Sequence, residues 1–351
     1  MNKSKLSFQP LWADSLGAKT TCTLVETPEV KILIDPGVAV MQPSFPASWP
    51  KKFYWKARAL MRIKKASRKA DVIVISHYHH DHYIDFDKSI YEDKLLLVKN
   101  PNEFINDSQR DRAEKFLDKV CREFGDKNLS KILQKGQERK YEDPMESLPH
   151  AKEKDFGDYN SRRKELLNKW RDRFRNRVKN WNSNKLIPEL DFGNVRVKFI
   201  DNNEFDFGRT KLRFTEPLFH GIEFSQVGWI VPTVIQRYRQ KFIHTSDING
   251  PTIEDYADWI ISENPNVLYL DGPATYLLGF MLNRINLNRA INNGIRIIEN
   301  SRSRLILYDH HLPRERKFRE RTKDFWDKAK DEGKKAMTVA EYLNKEPVVF
   351  E

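Results

Sequence analysis

Four candidate metal ligands, His77, His79, Asp81 and His82, fall within the six residues His77-Tyr78-His79-His80-Asp81-His82. They follow Ser76 and the apolar run Val72-Ile73-Val74-Ile75, whose length and β-branched content are those of a buried strand. In the extended or turning segment beyond it, alternate spacing puts His77 and His79 on one side, so both imidazoles can reach one cation. Asp81 and His82 project from the next turn towards a second. Nitrogen and oxygen donors without thiolate suit zinc, manganese or iron. A lone histidine on an apolar strand is usually just packed or hydrogen-bonded; four ligand-type residues at one strand end argue for a metal.

The same string resembles the HxHxDH signature of the metallo-β-lactamase superfamily, and other segments match that family's markers in order. Ile32-Leu33-Ile34-Asp35-Pro36-Gly37 resembles its strand-ending Asp-x-Gly, where the aspartate braces the ligand loop. Pro217-Leu218-Phe219-His220-Gly221 resembles the isolated third histidine, Phe242-Ile243-His244-Thr245-Ser246-Asp247 the bridging aspartate, and Leu305-Ile306-Leu307-Tyr308-Asp309-His310-His311 the last histidine. Each later match is weak alone, but their joint order is specific. The resemblance implies an α/β chain folded as a four-layer αββα sandwich with two divalent metal ions, zinc first and manganese or iron as alternatives. His77, His79 and His220 would hold one ion, Asp81, His82 and one of His310 or His311 the other, with Asp247 shared. A resemblance to the Thr-His-Phe-Ser-x-Arg pattern of tRNA-processing members places His310 on the metal and leaves His311 as proton donor or as support behind the ligands. His80, at a variable position of the motif, and His244, at a strand end of unknown facing, are set aside as structural.

A closer resemblance, spanning most of the chain, is to a mainly archaeal branch of metal-dependent hydrolases uncharacterised in their substrates. It rests on Asp14-Ser15-Leu16-Gly17, Ser76-His77-Tyr78-His79, Ile105-Asn106-Asp107-Ser108-Gln109-Arg110, Thr245-Ser246-Asp247-Ile248-Asn249-Gly250-Pro251, Gly272-Pro273-Ala274-Thr275-Tyr276-Leu277 and Asp309-His310-His311-Leu312.

The elements that must carry these residues are short apolar runs bounded by turn residues. Strands are predicted at Thr23 to Glu26, Lys31 to Ile34, Val72 to Ser76, Leu95 to Val98, Val195 to Ile200, Leu212 to Thr215, Val227 to Val231, Lys241 to Thr245, Val267 to Leu270 and Leu305 to Tyr308. Helical periodicity marks Ser108 to Phe124, Arg162 to Trp181, Ile253 to Asn264, Asn283 to Glu299 and Arg314 to Lys330. Strands and helices mixed along the whole chain predict a single layered α/β domain over residues 1–351. Residues 100–193 stand apart as a helical, basic insertion without a convincing strand. In it Leu166, Trp170, Phe174, Val178 and Trp181 recur at helical spacing among Arg163, Lys169, Arg171, Arg173, Arg175, Arg177 and Lys179. Packing of that aromatic stripe on the parent domain is the plain reading, and a lid or nucleic-acid arm the alternative.

The 351 residues suffice for a large core despite a mean hydropathy of −0.71, because the charge gathers in the intervening segments. Two cysteines, Cys22 and Cys121, exclude a disulfide framework and a thiolate cluster. No signal-length or membrane-spanning apolar run occurs, so a cytoplasmic protein without membrane partners is expected. A net charge of +12 favours an anionic small-molecule or nucleic-acid substrate, and a homo-oligomer is compatible with the sequence.

Two cations about 3.5 Å apart would bring the pKa of a bridging water to about 7 and polarise the group it attacks. Asp81 would orient that hydroxide, and His311 or Tyr276 would protonate the leaving group. A phosphodiester is the first expected substrate; a lactone, thioester or β-lactam carbonyl is the second. A non-catalytic nucleic-acid-binding or scaffold protein should have lost ligands, and here every expected position is filled. About sixty residues separate Asp247 from His310, too few for the clamp domain that β-CASP nucleases insert there.

Overall fold

A computed structural model describes residues 5–351. Two seven-stranded mixed sheets form the centre of a four-layer αββα sandwich of the metallo-β-lactamase type. In the first sheet the spatial order is Ser7–Pro10, Thr23–Glu26, Lys31–Ile34, Val72–Ile75, Leu95–Val98, Arg196–Phe199 and Leu190–Asp191. In the second it is Glu204–Phe207, Thr210–Phe214, Thr233–Arg237, Gln240–His244, Val267–Asp271, Leu305–Asp309 and Lys335–Met337. The sheets meet through apolar side chains, as where the Phe8 ring stacks on Phe242 with centroids 5.3 Å apart.

The first sheet is antiparallel at both edges and the second at one, and each is parallel where the ligand-bearing segments leave it. Val72–Ile75 runs parallel to Lys31–Ile34 and Leu95–Val98, and Val267–Asp271 runs parallel to Gln240–His244 and Leu305–Asp309. The four residues of Val72–Ile75 are all buried, the pattern of a strand covered on both faces. Parallel neighbours end on the same edge, so the segments after Ile34, Ile75, His244, Asp271 and Asp309 emerge together, where open α/β sheets hold ligands. Ser76 of one sheet and Ser246 of the other join at this edge, their hydroxyls 2.7 Å apart.

Residues 100–193 lie between the adjacent parallel strands Leu95–Val98 and Arg196–Phe199, and carry the helices Asp107–Gly125 and Asn160–Ser183. Leu167, Phe174 and Trp181 of the second helix are buried. The Trp181 ring meets Phe104, Tyr141 and Trp229 at 5.3–5.6 Å, and its Nε1–H donates to the Ile105 carbonyl at 3.0 Å. The aromatic stripe is thus a packing surface, with its one polar atom satisfied.

Several sequence expectations differ. The predicted helix Arg314 to Lys330 is broken: Glu315 is extended and Thr322 non-helical, leaving Phe318–Arg321 and Lys323–Asp331. Val227 to Val231 shrinks to Trp229–Ile230. The 19-residue helix Trp49–Ser67 and the strand Thr233–Arg237 were not anticipated. In that helix Trp49, Phe53, Tyr54 and Met61 are exposed, which blurs the periodicity that would reveal it. Both cysteines are buried and free. Among the described residues no helix is long and apolar enough to cross a membrane.

Candidate metal centre

At the shared strand edge His77, His79, His220 and Asp247 form one group of converging donor atoms, and Asp81, His82 and His310 a second. Asp247 stands between them. Its Oδ2 lies 3.0 Å from His220 Nε2 and 3.5 Å from His77 Nε2, and its Oδ1 lies 2.9 Å from His82 Nε2 and 3.2 Å from His310 Nε2. His77 Nε2 and His79 Nδ1 are 3.0 Å apart. A tetrahedral cation bound at about 2.0–2.1 Å separates its donors by roughly 3.3 Å, the range seen here.

The test of fit is what these atoms lack. His82 Nε2, His310 Nε2 and Asp247 Oδ1 are buried and make no hydrogen bond, although the two nitrogens stand 2.9 and 3.2 Å from that oxygen. Buried polar atoms left without partners in one small space call for a bound ion. Nitrogen and carboxylate donors without sulfur fit a divalent transition metal.

Behind the donors the rings of His77, His82, His220 and His310 each meet a neighbour through the other nitrogen, which fixes tautomer and orientation. His82 Nδ1 meets Asp35 Oδ2 at 2.8 Å, and Asp35 accepts from Ser76 N at 2.8 Å and Ser76 Oγ at 2.7 Å. His310 Nδ1 meets Asp14 Oδ1 at 3.1 Å, and Asp14 Oδ2 accepts from His311 N and from Arg314 Nε. His311 Nδ1 meets Asp271 Oδ1 at 2.9 Å. His220 Nδ1 lies 3.1 Å from the Asn249 side-chain nitrogen; a ligating Nε2 requires the proton on Nδ1, and a half-turn of this amide would bring its unpartnered oxygen round to accept it. His77 Nδ1 lies beside Ser76 Oγ at 3.1 Å and Ser246 Oγ at 3.4 Å.

The backbone around the donors is bent to this purpose. Asp35, Ser246, Asn249, His310 and His311 all have positive φ, between 43° and 56°. Non-glycine residues adopt it at a cost, and a cluster of them is characteristic of functional sites. Gly37 lets the two loops touch: a Cβ there would sit 2.2 Å from His82 N.

Electrostatics points the same way. Burial would push the Asp247 carboxyl up, yet His82 and His310 hold it well below the carboxylate range. Burial likewise opposes charge on His310, but Asp14 and Asp247 outweigh it and hold this imidazole at about 10. Burial, reinforced by His82, drops His77 to about 4, and burial with His310 keeps His311 well below its usual value. Asp309, raised by burial and Asp14, reaches about 6. Without cations the Asp14 and Asp247 carboxylates hold a proton on His310, which metal binding would release.

The sequence-predicted residues fall unevenly. His77, His79, Asp81, His82, His220, Asp247 and His310 are brought together. His310 groups with Asp81 and His82, while His311 Nε2 lies 4.0 Å from Asp247 Oδ2. Tyr276 stands outside both groups, its hydroxyl accepting from Arg314 NH1 at 3.1 Å. His80 stacks on Tyr83, and His244 is used up by Thr21 O and Ser246 N. The supports Asp14, Asp271, Asn249 and Arg314 were not singled out. Asp14 and Asn249 fall within strings that carry the archaeal resemblance but were given no role, and the signal for Asp271 is position, since it closes the apolar run Leu268-Tyr269-Leu270.

Arg314 is 3% exposed, and its NH2 has no hydrogen-bond partner and points to Asp81 Oδ2 at 3.9 Å. On the opposite side His220 and Asn249 form part of the wall of a cavity of about 310 Å³. Asp247, His310 and His311 also converge, as a third group, and a fourth, His150, Asp255 and Asp258, is partly exposed, with Arg296 already paired to Asp258.

A model of the metallo-beta-lactamase superfamily matches residues 17–102. A UPF0282 protein of Methanocaldococcus jannaschii is 32% identical over 355 residues, covering 97% of this chain and 93% of its own length. One of Methanopyrus kandleri is 30% identical over 356 residues, covering 97% and 95%. Among solved structures, CmlA, a diiron beta-hydroxylase from Streptomyces venezuelae, aligns at 10% identity and TM-score 0.44 over 96% of this chain and 53% of that one, so this chain spans about half its length.

Proposed function

The chain belongs to the UPF0282 family, in the metallo-β-lactamase superfamily, and from that premise we propose that it is a metal-dependent hydrolase acting on a phosphodiester or other anionic ester. The observation that carries the reading is Asp247, whose Oδ2 faces His77 and His220 and whose Oδ1 faces the unpartnered Nε2 atoms of His82 and His310. His77, His79 and His220 would hold one divalent ion, zinc first, and Asp81, His82 and His310 the other, with Asp247 common to both. Bound there, a pair of cations supplies Lewis acidity and brings the pKa of water to about 7.

The remaining roles fall to the chain's own groups. Asp81, the one carboxylate of the set with appreciable exposure, at 16%, faces the opening and would orient the attacking water. His311 is backed by Asp271 and turns Nε2 inward; held neutral by its burial, this ring would take up the proton that the attacking water gives up and pass it on to the leaving oxygen. Tyr276 accepts from Arg314, which leaves its own O–H free to donate. Arg314 NH2, buried beside Asp81 without a partner, would take an anionic oxygen of the substrate; a guanidinium suits phosphoryl and carboxylate oxygens alike. We read residues 100–193 as an insertion into a single domain whose long helix gives Trp170 to the wall of the cavity beside His220.

The apolar cavity beside His220 favours a second reading, cleavage of a lactone, thioester or β-lactam carbonyl. The metal-loaded chain, assayed on bis(p-nitrophenyl) phosphate, a lactone and a thioester, is expected to cleave the phosphodiester and to lose that turnover on chelation. Cleavage of the carbonyl substrates alone would shift the assignment to the second reading, and metal binding without turnover of any would overturn the enzymatic one.

A further inference from the structure

The cavity of about 310 Å³ that shares His220 with the metal centre has a composition unlike the rest of this basic protein. Trp170 comes to it from the long helix Asn160–Ser183, Phe224 from the loop after His220, and Leu277, Met281 and Leu282 from the segment after Val267–Asp271. Its one charged side chain is Glu223, and that charge is spent: Oε1 accepts from Arg163 NH2 at 3.0 Å and from Arg289 NH2 at 2.7 Å, with all three side chains largely buried. Among the described residues no lysine or arginine lines the cavity, and its polar wall residues Ser225, Gln226, Asn249, Thr252 and Asn286 are uncharged. Such a space has no cation to hold an anion, and it offers an apolar group a largely apolar surface from which to displace water. Its volume is at the lower end of small-molecule sites.

We infer that this cavity is the subsite for an uncharged, apolar arm of the substrate, whose hydrolysable head sits against His220 and Asp247. The inference rests on the hydrolase reading for what the head does, and adds that the substrate is amphiphilic: an anionic or acyl head at the metal centre and a hydrophobic arm in the cavity. The two halves of the site divide the recognition. Arg314 lies on the Asp81 side and the apolar cavity on the His220 side, so charge is read at one end of the centre and hydrophobic bulk at the other.

The test is calorimetric titration of n-alkylphosphonates, from methyl to octyl, into the zinc-loaded chain. Each methylene buried is worth about fourfold in Kd, so Kd should fall about fourfold per carbon until the cavity is filled and then level off. Ala274→Phe, a small wall residue enlarged, should flatten the series and leave methylphosphonate binding unchanged; Leu282→Ala should carry the fall to longer chains. A Kd independent of chain length, no binding at any length, or a dependence that neither variant alters would overturn the inference. Chain-length-dependent binding with no hydrolysis of any ester would sink the hydrolase reading and leave the subsite standing.

Discussion

Asp247 concentrates the chemistry, but the residues behind the ligands decide whether it works. Asp35 supports His82 while it accepts both the amide and hydroxyl of Ser76, so one carboxylate ties the ligand loop to its strand. Replacing it with Asn, which tolerates the left-handed backbone at φ 48°, removes the charge and keeps the shape. Asp35→Asn is expected to weaken metal affinity by about 10- to 100-fold, read by competition with a chromophoric chelator, with an unchanged far-ultraviolet spectrum. Asp81 behaves differently, because it lies at the opening and contributes little to the core. Asp81→Ala should abolish esterase turnover, a fall of at least about 100-fold, while the urea midpoint stays near that of the parent; full activity would refute its role. At this scale the ligands were legible because their motif is local and ordered. Asp14, Asp271 and Arg314 were not, since an acid at a strand end becomes a support only when another strand brings a histidine to it.

The elements convert this chemistry into geometry by ending parallel strands on one edge. Short strands such as Thr23–Glu26, Lys31–Ile34 and Leu95–Val98 were readable to the residue, because an apolar run between turns has few alternatives. The helix Trp49–Ser67 was not, because it shows aromatic residues to solvent and mixes its faces. The failed helix after Arg314 has a functional reason: Arg314 must turn inward to Asp14, and the extended Glu315 breaks the chain there. Gly37 is the tightest of these constraints. Gly37→Ala would press a methyl group onto the backbone of His82 and Tyr83, which cannot swing aside. The expected loss is about 3 kcal/mol in urea unfolding together with loss of bound metal; an unchanged variant would mean the loop approach is looser than described.

Across the whole molecule the two sheets must stay in register for their edges to share one centre. At the end opposite the metals, Glu29 precedes Lys31–Ile34 and grips the other sheet, accepting from Arg237 Nε and NH2 at 2.8 Å each and from Thr210 Oγ1 at 2.9 Å. The bidentate Arg237 contact lowers Glu29 from 4.5 to about 2. A carboxyl depressed in the folded state stabilises the protein above its unfolded value, and that contribution is lost as pH falls from about 4.5 through about 2. Glu29→Gln should therefore flatten the fall of the urea midpoint across this window and leave the slope above pH 5 unchanged; identical acid limbs would contradict the clamp. The account as a whole is tested most directly by metal stoichiometry, measured by mass spectrometry on the chain reconstituted with zinc and freed of excess. Two ions per chain are predicted, falling to one in both His220→Ala and His82→Ala. A parent chain that retains none, or variants that retain both, would contradict the paired centre on which the proposed hydrolysis depends.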